Sequence, residues 1–182
     1  YHWTVPHDVQ GLINLMSKEL FRARLDSLFT LELPQDIPGA HDIHGRIGAY
    51  WHGNEPCHHV AYLYNYIGEG WKCQQRVREI INRFYGNTPN SLCGNDDCGQ
   101  MSAWYIFSAL GFYPVNPADG KFYFGMPLFS EITLNLDNGK TFVIKKEKEQ
   151  SAGNEVFLNL KLLKERYITY KQLMQGGELL FK

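Results

Sequence analysis

Residues 92–112, LCGNDDCGQMSAWYIFSALGF, combine two adjacent acids with an uncharged run. Asp96 and Asp97 stand between two cysteines and two glycines, directly before QMSAWYIFSALGF. The run ends at Gly111, which predicts a short buried helix closed by a glycine. Because the start of a helix favours negative charge, both acids are expected to stay ionised there.

Two interpretations of these acids are open. In the first, Asp97 is a helix cap, because Asp97 to Gln100 forms a D-x-x-Q step, a variant of the capping box. A cap explains one acid and leaves Asp96 unexplained. In the second, the loop is functional, because its glycines let the backbone approach a ligand. An ionised carboxylate there suits a general base or a ligand to a hard cation.

A second polar cluster lies in HGNEPCHHV, residues 52–60. Three histidines fall within eight residues, together with Asn54 and Glu55. Glu55 and His59 are four apart and share a face if the segment is helical. Clusters of this kind mark catalytic or metal-binding positions more often than isolated histidines do.

The choice of metal follows from the ligand types. Oxygen ligands from Asn, Glu and Asp suit calcium. Zinc is disfavoured, because Cys93 and Cys98 are five apart and Cys57 directly adjoins the histidines, which is not the usual spacing of a zinc site.

A third stretch, YHWTVPHDVQGL, carries Trp3, His7 and Asp8. Asp8 is interpreted as the cap of the helix that begins there. Trp3, with Tyr1, forms either an aromatic wall for a sugar ring or part of the core. The helical pattern that follows is interrupted near Ser17, which predicts a second helix with Ser17 as its N-cap.

The pattern of apolar residues changes near residue 113. Helical periodicity and loops fill residues 1–113, whereas residues 114–182 alternate polar and apolar side chains with period two. The sequence Asp137-Asn138-Gly139 between two such runs predicts a hairpin. The chain is therefore predicted to be α+β, with helical hairpins followed by an antiparallel sheet to which no chemistry is assigned.

The composition disfavours nucleic acid and membranes as binding partners. The net charge is −1, so no basic surface indicates nucleic acid, and no apolar run is long enough for a membrane span. Aromatic residues make up 14% of the chain, enough for a core and for stacking on a ligand. Because the first residue is Tyr1, we expect a piece of a longer protein.

Four motifs occur in order: WTVPHDVQGLI, IGAYWHGNEPCHH, GNDDCGQMSAWYIFSALGFYPVNP and YITYKQLMQGGELLF. Together they resemble the C-terminal part of glycoside hydrolase family 92, over nearly the whole chain. The resemblance implies the last helices of an (α/α)6 barrel plus the trailing strands. The N-terminal β-sandwich and the early barrel helices of the family would lie outside this sequence.

The resemblance also implies an activity and its residues. The family comprises calcium-dependent, inverting exo-α-mannosidases that act on mannose-containing glycans such as N-glycans and mannans. The matching positions make Asp97 the general base, with Asp96 as the weaker candidate. The calcium (Ca2+) ligands implied are Asn54, Glu55 and Asp97, and the sugar-binding residues implied are His58, His59, Asn95, Trp3 and His7.

The family's general acid would lie on a glutamate upstream of the W-x-V-P-H-D motif, before Tyr1. The 182 residues alone are therefore expected to be inactive or nearly so, to self-associate through apolar surface, and to derive from a secreted or periplasmic enzyme. Two other hypotheses are a non-catalytic, calcium-dependent sugar-binding module and a structural scaffold whose acids are caps.

Overall fold

The computed structural model describes residues 2–34, 44–147 and 155–182, and it is a mixed helical and sheet structure, which confirms the α+β prediction. The helices among these residues are α1 (Val9–Met16), α2 (Lys18–Thr30), α3 (Gly70–Phe84), α4 (Gln100–Leu110) and α5 (Tyr170–Met174), with 3₁₀ segments at Glu55–Cys57, Val60–Ile67 and Pro117–Asp119. None of the helices in the described ranges is long and apolar enough to cross a lipid bilayer.

The first two helix starts follow the predicted capping chemistry. The Asp8 carboxylate accepts a hydrogen bond from the backbone N–H of Gly11 at 2.9 Å, at the start of α1. The Ser17 hydroxyl accepts from the N–H of Leu20 at 3.3 Å, at the start of α2. Both predicted N-caps are confirmed. Ser17 has φ 71°, which breaks the helical path between α1 and α2.

The segment after Pro56 is helical but not α-helical. Pro56 in a first-turn position and Gly68 at the end of an apolar run predict one helix between them, whereas the structure has two 3₁₀ segments, Glu55–Cys57 and Val60–Ile67. Packing buries every residue of Val60–Ile67 except Tyr66. Aromatic and β-branched side chains fill this run and lose rotamer freedom in an α-helix, so tertiary packing decides its geometry. Gly68 ends it in the left-handed conformation, as predicted.

Within the described residues, the strands form three sheets. The predicted hairpin is confirmed, because the strands on either side of Asp137-Asn138-Gly139 pair antiparallel. The strands are β1 (Arg46–Ile47), β2 (Tyr50–Trp51), β3 (Phe112–Tyr113), β4 (Lys121–Phe124), β5 (Glu131–Asn135), β6 (Thr141–Lys146), β7 (Val156–Leu158), β8 (Lys161–Leu162), β9 (Tyr167–Thr169) and β10 (Gly177–Phe181).

The largest sheet has the order β5-β6-β10-β7-β8, and β3-β4-β9 form a second sheet. Among the pairings in the described ranges, β6 with β10 is parallel, whereas the alternating sequence pattern predicted an antiparallel sheet. The reason is the connection: the chain forms β7, β8, β9 and α5 before it returns beside β6 in the same direction. The division into regions 1–113 and 114–182 stays a prediction, and β3 pairs with β4 across it.

The core beneath the acidic loop is rich in aromatic side chains. Trp104 of α4 is fully buried, and it joins a cluster that includes Tyr50, Tyr62 and Tyr64. A second cluster fills the space around the large sheet, with Phe124, Phe142 and Phe181 among its members. The predicted burial of α4 is therefore confirmed for one face, which carries Met101, Trp104, Ser108 and Ala109, whereas Ile106 on the other side is 58% exposed. The two acids lie just before this helix.

Candidate active site

The acidic loop has an unusual backbone conformation. Asp97, Cys98 and Gly99 are three consecutive residues with positive φ, at 46°, 58° and 89°. Glycine adopts such angles easily and Asp tolerates them, but Cys98 does so at a cost. Residues held in sparsely populated backbone regions cluster at functional sites, where the surrounding structure maintains them.

The two acids of this loop do different things. The Asp96 carboxylate accepts hydrogen bonds from the backbone N–H of Ser102 at 2.8 Å and from its hydroxyl at 2.9 Å. The N-cap position of α4 is occupied by Gly99, and no side chain caps it. The predicted capping box of Asp97 and Gln100 is therefore wrong. The left-handed turn from Asp97 to Gly99 directs Asp96, rather than Asp97, at the first turn of the helix.

Asp97 instead faces the other polar cluster. It is exposed, and its pKa is raised first by a hydrogen bond with Glu55, then by desolvation and by the negative charges of Glu55 and Asp96. Two carboxyl groups this close favour retaining a proton between them. The structure therefore brings Glu55 and Asp97 together, although 42 positions separate them in the sequence (97 minus 55).

His58 is buried and neutral. Its Nε2–H donates to the carbonyl of His52 at 2.9 Å, so its Nδ1 is unprotonated and accepts from the Gln100 amide at 3.0 Å. Burial lowers the pKa of His58 to about 4, which outweighs the opposing effect of its bond to the His52 carbonyl. With 1% of its surface exposed and both ring nitrogens bonded, His58 supports the site from beneath.

His52 lies deeper, in a chain of hydroxyl groups. The Tyr85 hydroxyl donates its proton to the carbonyl of Met101 at 3.0 Å, so it accepts from His52 Nε2–H at 2.7 Å. The Nδ1 atom of His52 then accepts from the Tyr50 hydroxyl at 2.8 Å. Burial, and secondarily the neighbouring His58, lower the pKa of His52 to about 2. His52 is therefore a neutral core residue.

The remaining sugar-binding candidates differ in burial and in their contacts. His59 is 7% exposed, and its ring donates to the Trp3 carbonyl at 2.6 Å. The Trp3 ring packs edge-on against Phe21, with centroids 5.3 Å apart. Trp3 thus contributes to the core, while His7 and Asn95 are exposed. Tyr1, its proposed partner in an aromatic wall, lies outside the described residues.

A cleft adjoins the carboxyl pair. Its volume is about 330 Å³, near the lower end of the roughly 300–1,000 Å³ typical of ligand pockets. Glu55, His58, His59 and Tyr113 contribute polar groups to its walls. The rest of the wall is largely rigid and apolar, built from Thr4, Pro6, Pro56, Pro114, Val115 and Pro117. Glu55 therefore belongs both to the carboxyl pair and to the cleft.

The sequence matches a known catalytic domain along its whole length. The profile of the Glycosyl hydrolase family 92 catalytic domain matches residues 1–182. The chain belongs to glycoside hydrolase family 92. It spans about a quarter of the length of the solved relatives named below, and 21% of the length of the curated one.

Three relatives illustrate the match. A family 92 α-mannosidase from Bacteroides thetaiotaomicron, solved in complex with mannoimidazole, is 56% identical, with a TM-score of 0.91 over 98% of this chain and 24% of its own. An inverting family 92 mannosidase from the same species is 38% identical, with a TM-score of 0.80 over 100% of this chain and 26% of its own. An uncharacterized secreted glycosidase of Arthroderma benhamiae is 29% identical over 96% of this chain and 21% of its own.

The donor set for a cation in this family 92 chain is partial. Within residues 2–34, 44–147 and 155–182, no three His, Cys, Asp or Glu side chains are grouped as a metal site. Two carboxyl groups, Glu55 and Asp97, do meet. The amide nitrogen of Asn54 donates to Cys57 Sγ at 3.5 Å, which leaves its oxygen as the group suited to a hard cation.

Sequence reasoning missed several residues that build this site. Gln100 was assigned only to a capping box, and Tyr50, Tyr85 and Ser102 were assigned nothing. The position of Gln100 directly after the acidic loop was a usable signal. Tyr85 gave none, because its contact with His52 joins residues 33 positions apart.

Proposed function

We propose that this chain forms one half of the catalytic centre of a calcium-dependent, inverting exo-α-mannosidase, within a longer family 92 polypeptide that hydrolyses terminal α-mannosides. Asp97 is the general base. Glu55, Asn54 and Asp97 provide oxygen ligands for calcium. The observation that supports this proposal most is that Glu55 and Asp97, from two separate motifs, come together beside a cleft.

Asp97 suits the role of a base because of its position. It is exposed just before a core helix, and it faces Glu55 rather than the first turn of α4. Asp96 is held by Ser102 and is the weaker candidate, since both its oxygens already accept hydrogen bonds. An inverting hydrolase places its acid and base about 6.5–9.5 Å apart, with a water between the base and the sugar.

Calcium fits the donors present, as part of a larger shell. Hard oxygen ligands are what calcium takes, typically about six to eight of them, so two carboxylates and an amide leave room for other ligands and for sugar hydroxyls. Bound there, the cation would hold sugar hydroxyls and favour a distorted ring. The chain's own contribution is to hold Glu55 and Asp97 together, although their like charges repel.

The cleft supports a sugar-sized ligand next to this pair. Tyr113 and the two histidines give it polar groups, and prolines give it a stiff apolar wall. His59, Asn95, Trp3 and His7 remain proposed sugar contacts, whereas His58, whose two ring nitrogens are both bonded within the protein, supports the site from beneath. The relative from Arthroderma benhamiae is called a secreted glycosidase, which supports export to the periplasm or the medium.

The test compares Asp97→Asn and Glu55→Gln in the complete polypeptide, with Gln75→Met as a control on an exposed position of α3. Loss of a general base typically lowers kcat by about 10²–10⁴-fold, so Asp97→Asn should do so while mannose binding persists. Glu55→Gln should weaken calcium binding in calorimetry.

The outcomes separate three functions. Unchanged activity in Asp97→Asn would refute the assignment of the base. A wild-type polypeptide that binds mannosides with calcium but never hydrolyses them would show a sugar-binding module instead. The 182-residue chain by itself should show no mannoside hydrolysis, because its acid lies in the rest of the polypeptide.

A further inference from the structure

Glu55 and Asp97 are joined beneath the surface by a second, continuous path. The backbone N–H of His58 donates to the carbonyl of Glu55 at 3.0 Å. The backbone N–H of Gln100 donates to the carbonyl of Asp97 at 3.2 Å. The side chains of His58 and Gln100 then bond to each other at 3.0 Å. Each functional acid is therefore one backbone hydrogen bond from a member of the same side-chain pair.

The geometry fixes the direction of that central bond. His58 gives its Nε2 proton to the His52 carbonyl, so Nδ1 has only a lone pair to offer. The Gln100 amide nitrogen must be the donor, which sets the orientation of the amide. Its second proton is directed at the Tyr113 hydroxyl at 3.3 Å, on the wall of the cleft. Both donor hydrogens of Gln100 are thus used.

Two residues of α4 form hydrogen bonds with His58. Gln100, its first residue, holds the ring, and Trp104, one turn later, donates from its indole nitrogen to the His58 carbonyl at 2.9 Å. Trp104 is fully buried and cannot move without disturbing the core. The indole contact fixes the position of His58 along the axis of α4. The amide contact holds His58 beside the first residue of α4, where the loop containing Asp97 ends.

We propose that Gln100 is a positioning residue, which through His58 and Tyr113 sets the separation and the relative orientation of the Glu55 and Asp97 carboxyl groups. The inference rests on the proposed function of those two acids. It goes beyond that function by assigning a role to a side chain that need not touch substrate. Without the amide bridge, the backbone hydrogen bonds between the loop and α4 would remain, but the segment that carries Glu55 would lose its side-chain bond to the start of α4 at Gln100.

The test uses Gln100→Met in the complete polypeptide, since methionine keeps the length of the side chain and removes its donors. Gln75→Met on α3 is the matched control. A misplacement of about 1 Å can cost on the order of 100-fold in rate, so kcat should fall by about 10- to 100-fold. KM should stay within about threefold, and the unfolding midpoint within a few degrees, because the bridge acts on geometry at the reacting groups.

A double-mutant cycle distinguishes positioning from a general loss of structure. In an Asp97→Asn background, Gln100→Met should lower the residual kcat by less than about twofold, because residues that act as a unit are non-additive. Equal losses in both backgrounds would overturn the proposal. If Gln100→Met does not fold, Gln100→Ala, which removes the donors without adding a bulky group, replaces it in the same cycle.

The two variants distinguish a failure of the proposed function from a failure of the positioning role. Wild-type kcat in Asp97→Asn overturns the base assignment, and the positioning role falls with it. A large loss in Asp97→Asn combined with wild-type kcat in Gln100→Met overturns the positioning role alone.

Discussion

Replacing Asp96 by alanine removes both side-chain hydrogen bonds that tie the acidic loop to the first turn of α4. They run from the N–H and the hydroxyl of Ser102, at 2.8 and 2.9 Å. Caps of this kind contribute about 0.5–2 kcal/mol, and bonds to a charged group lie toward the upper part of that range. Because Asp96 is half-buried, water replaces part of the loss, and we expect Asp96→Ala to cost about 1–2 kcal/mol.

Asp97→Asn should cost nothing measurable. Asparagine tolerates the positive φ of this position, and the change removes a negative charge from beside Glu55. For a domain of this size, 1 kcal/mol corresponds to about 2–4 °C in Tm. Asp96→Ala is therefore expected to lower Tm by roughly 2–8 °C, and Asp97→Asn to leave it unchanged or slightly raised.

The assay is urea and thermal unfolding of the 182-residue chain, followed by circular dichroism at low protein concentration. Ser102→Ala serves as an internal control, because it removes the hydroxyl bond and keeps the backbone bond, and should lie between wild type and Asp96→Ala. A loss of stability in Asp97→Asn equal to that in Asp96→Ala would refute the division of roles. So would an Asp96→Ala variant as stable as wild type.

Two further outcomes follow from buried groups and from a tight turn. His52 and His58 have pKa values lowered to about 2 and about 4, against 6.5 when unfolded, so the unfolded chain binds more protons and stability falls as pH drops below 6.5. Below pH 6.5 each histidine should lower the free energy of unfolding by about 1.4 kcal/mol per pH unit. The urea midpoint should therefore be lower at pH 5 than at pH 7, and equal midpoints would contradict this. Gly111→Ala should destabilise the chain far more than Gly68→Ala in the same assay. A Cβ at Gly111 would meet Pro127 at 2.6 Å, whereas a Cβ at Gly68 would have no atom within 4 Å. Equal losses of stability would show that backbone strain alone decides the effect.

Local chemistry explains which parts of the fold the sequence predicts. The caps at Asp8 and Ser17 depend on groups three residues apart, and the hairpin at Asp137-Asn138-Gly139 depends on a three-residue loop with its own backbone preference. Each of these signals lies within a window that a pattern can read. The end of α4 at Gly111 belongs to the same class, because a left-handed residue closes the helix.

Long-range packing explains the failures. Val60–Ile67 carries a helical pattern, but its geometry is set by the core that buries it on nearly every side. The parallel pairing of β10 depends on where the chain travels between residues 146 and 177. His52 is the clearest case at the site, because its two ring partners, Tyr50 and Tyr85, come from a strand and from the end of α3.

The paired acids and the uncharged helix after them belong to one arrangement. Because Trp104 is buried in the core and bonds to His58, the buried face of α4 excludes charge, and both acids lie before its first turn. Asp96 bonds to that turn, and the left-handed step after it aims Asp97 away from the helix toward Glu55. Exchanging their roles would need a different loop backbone, so the order of the two acids is fixed by conformation rather than by chemistry. A neutral residue at Asp96 should therefore loosen the loop, whereas a neutral residue at Asp97 should leave the loop in place and remove its charge.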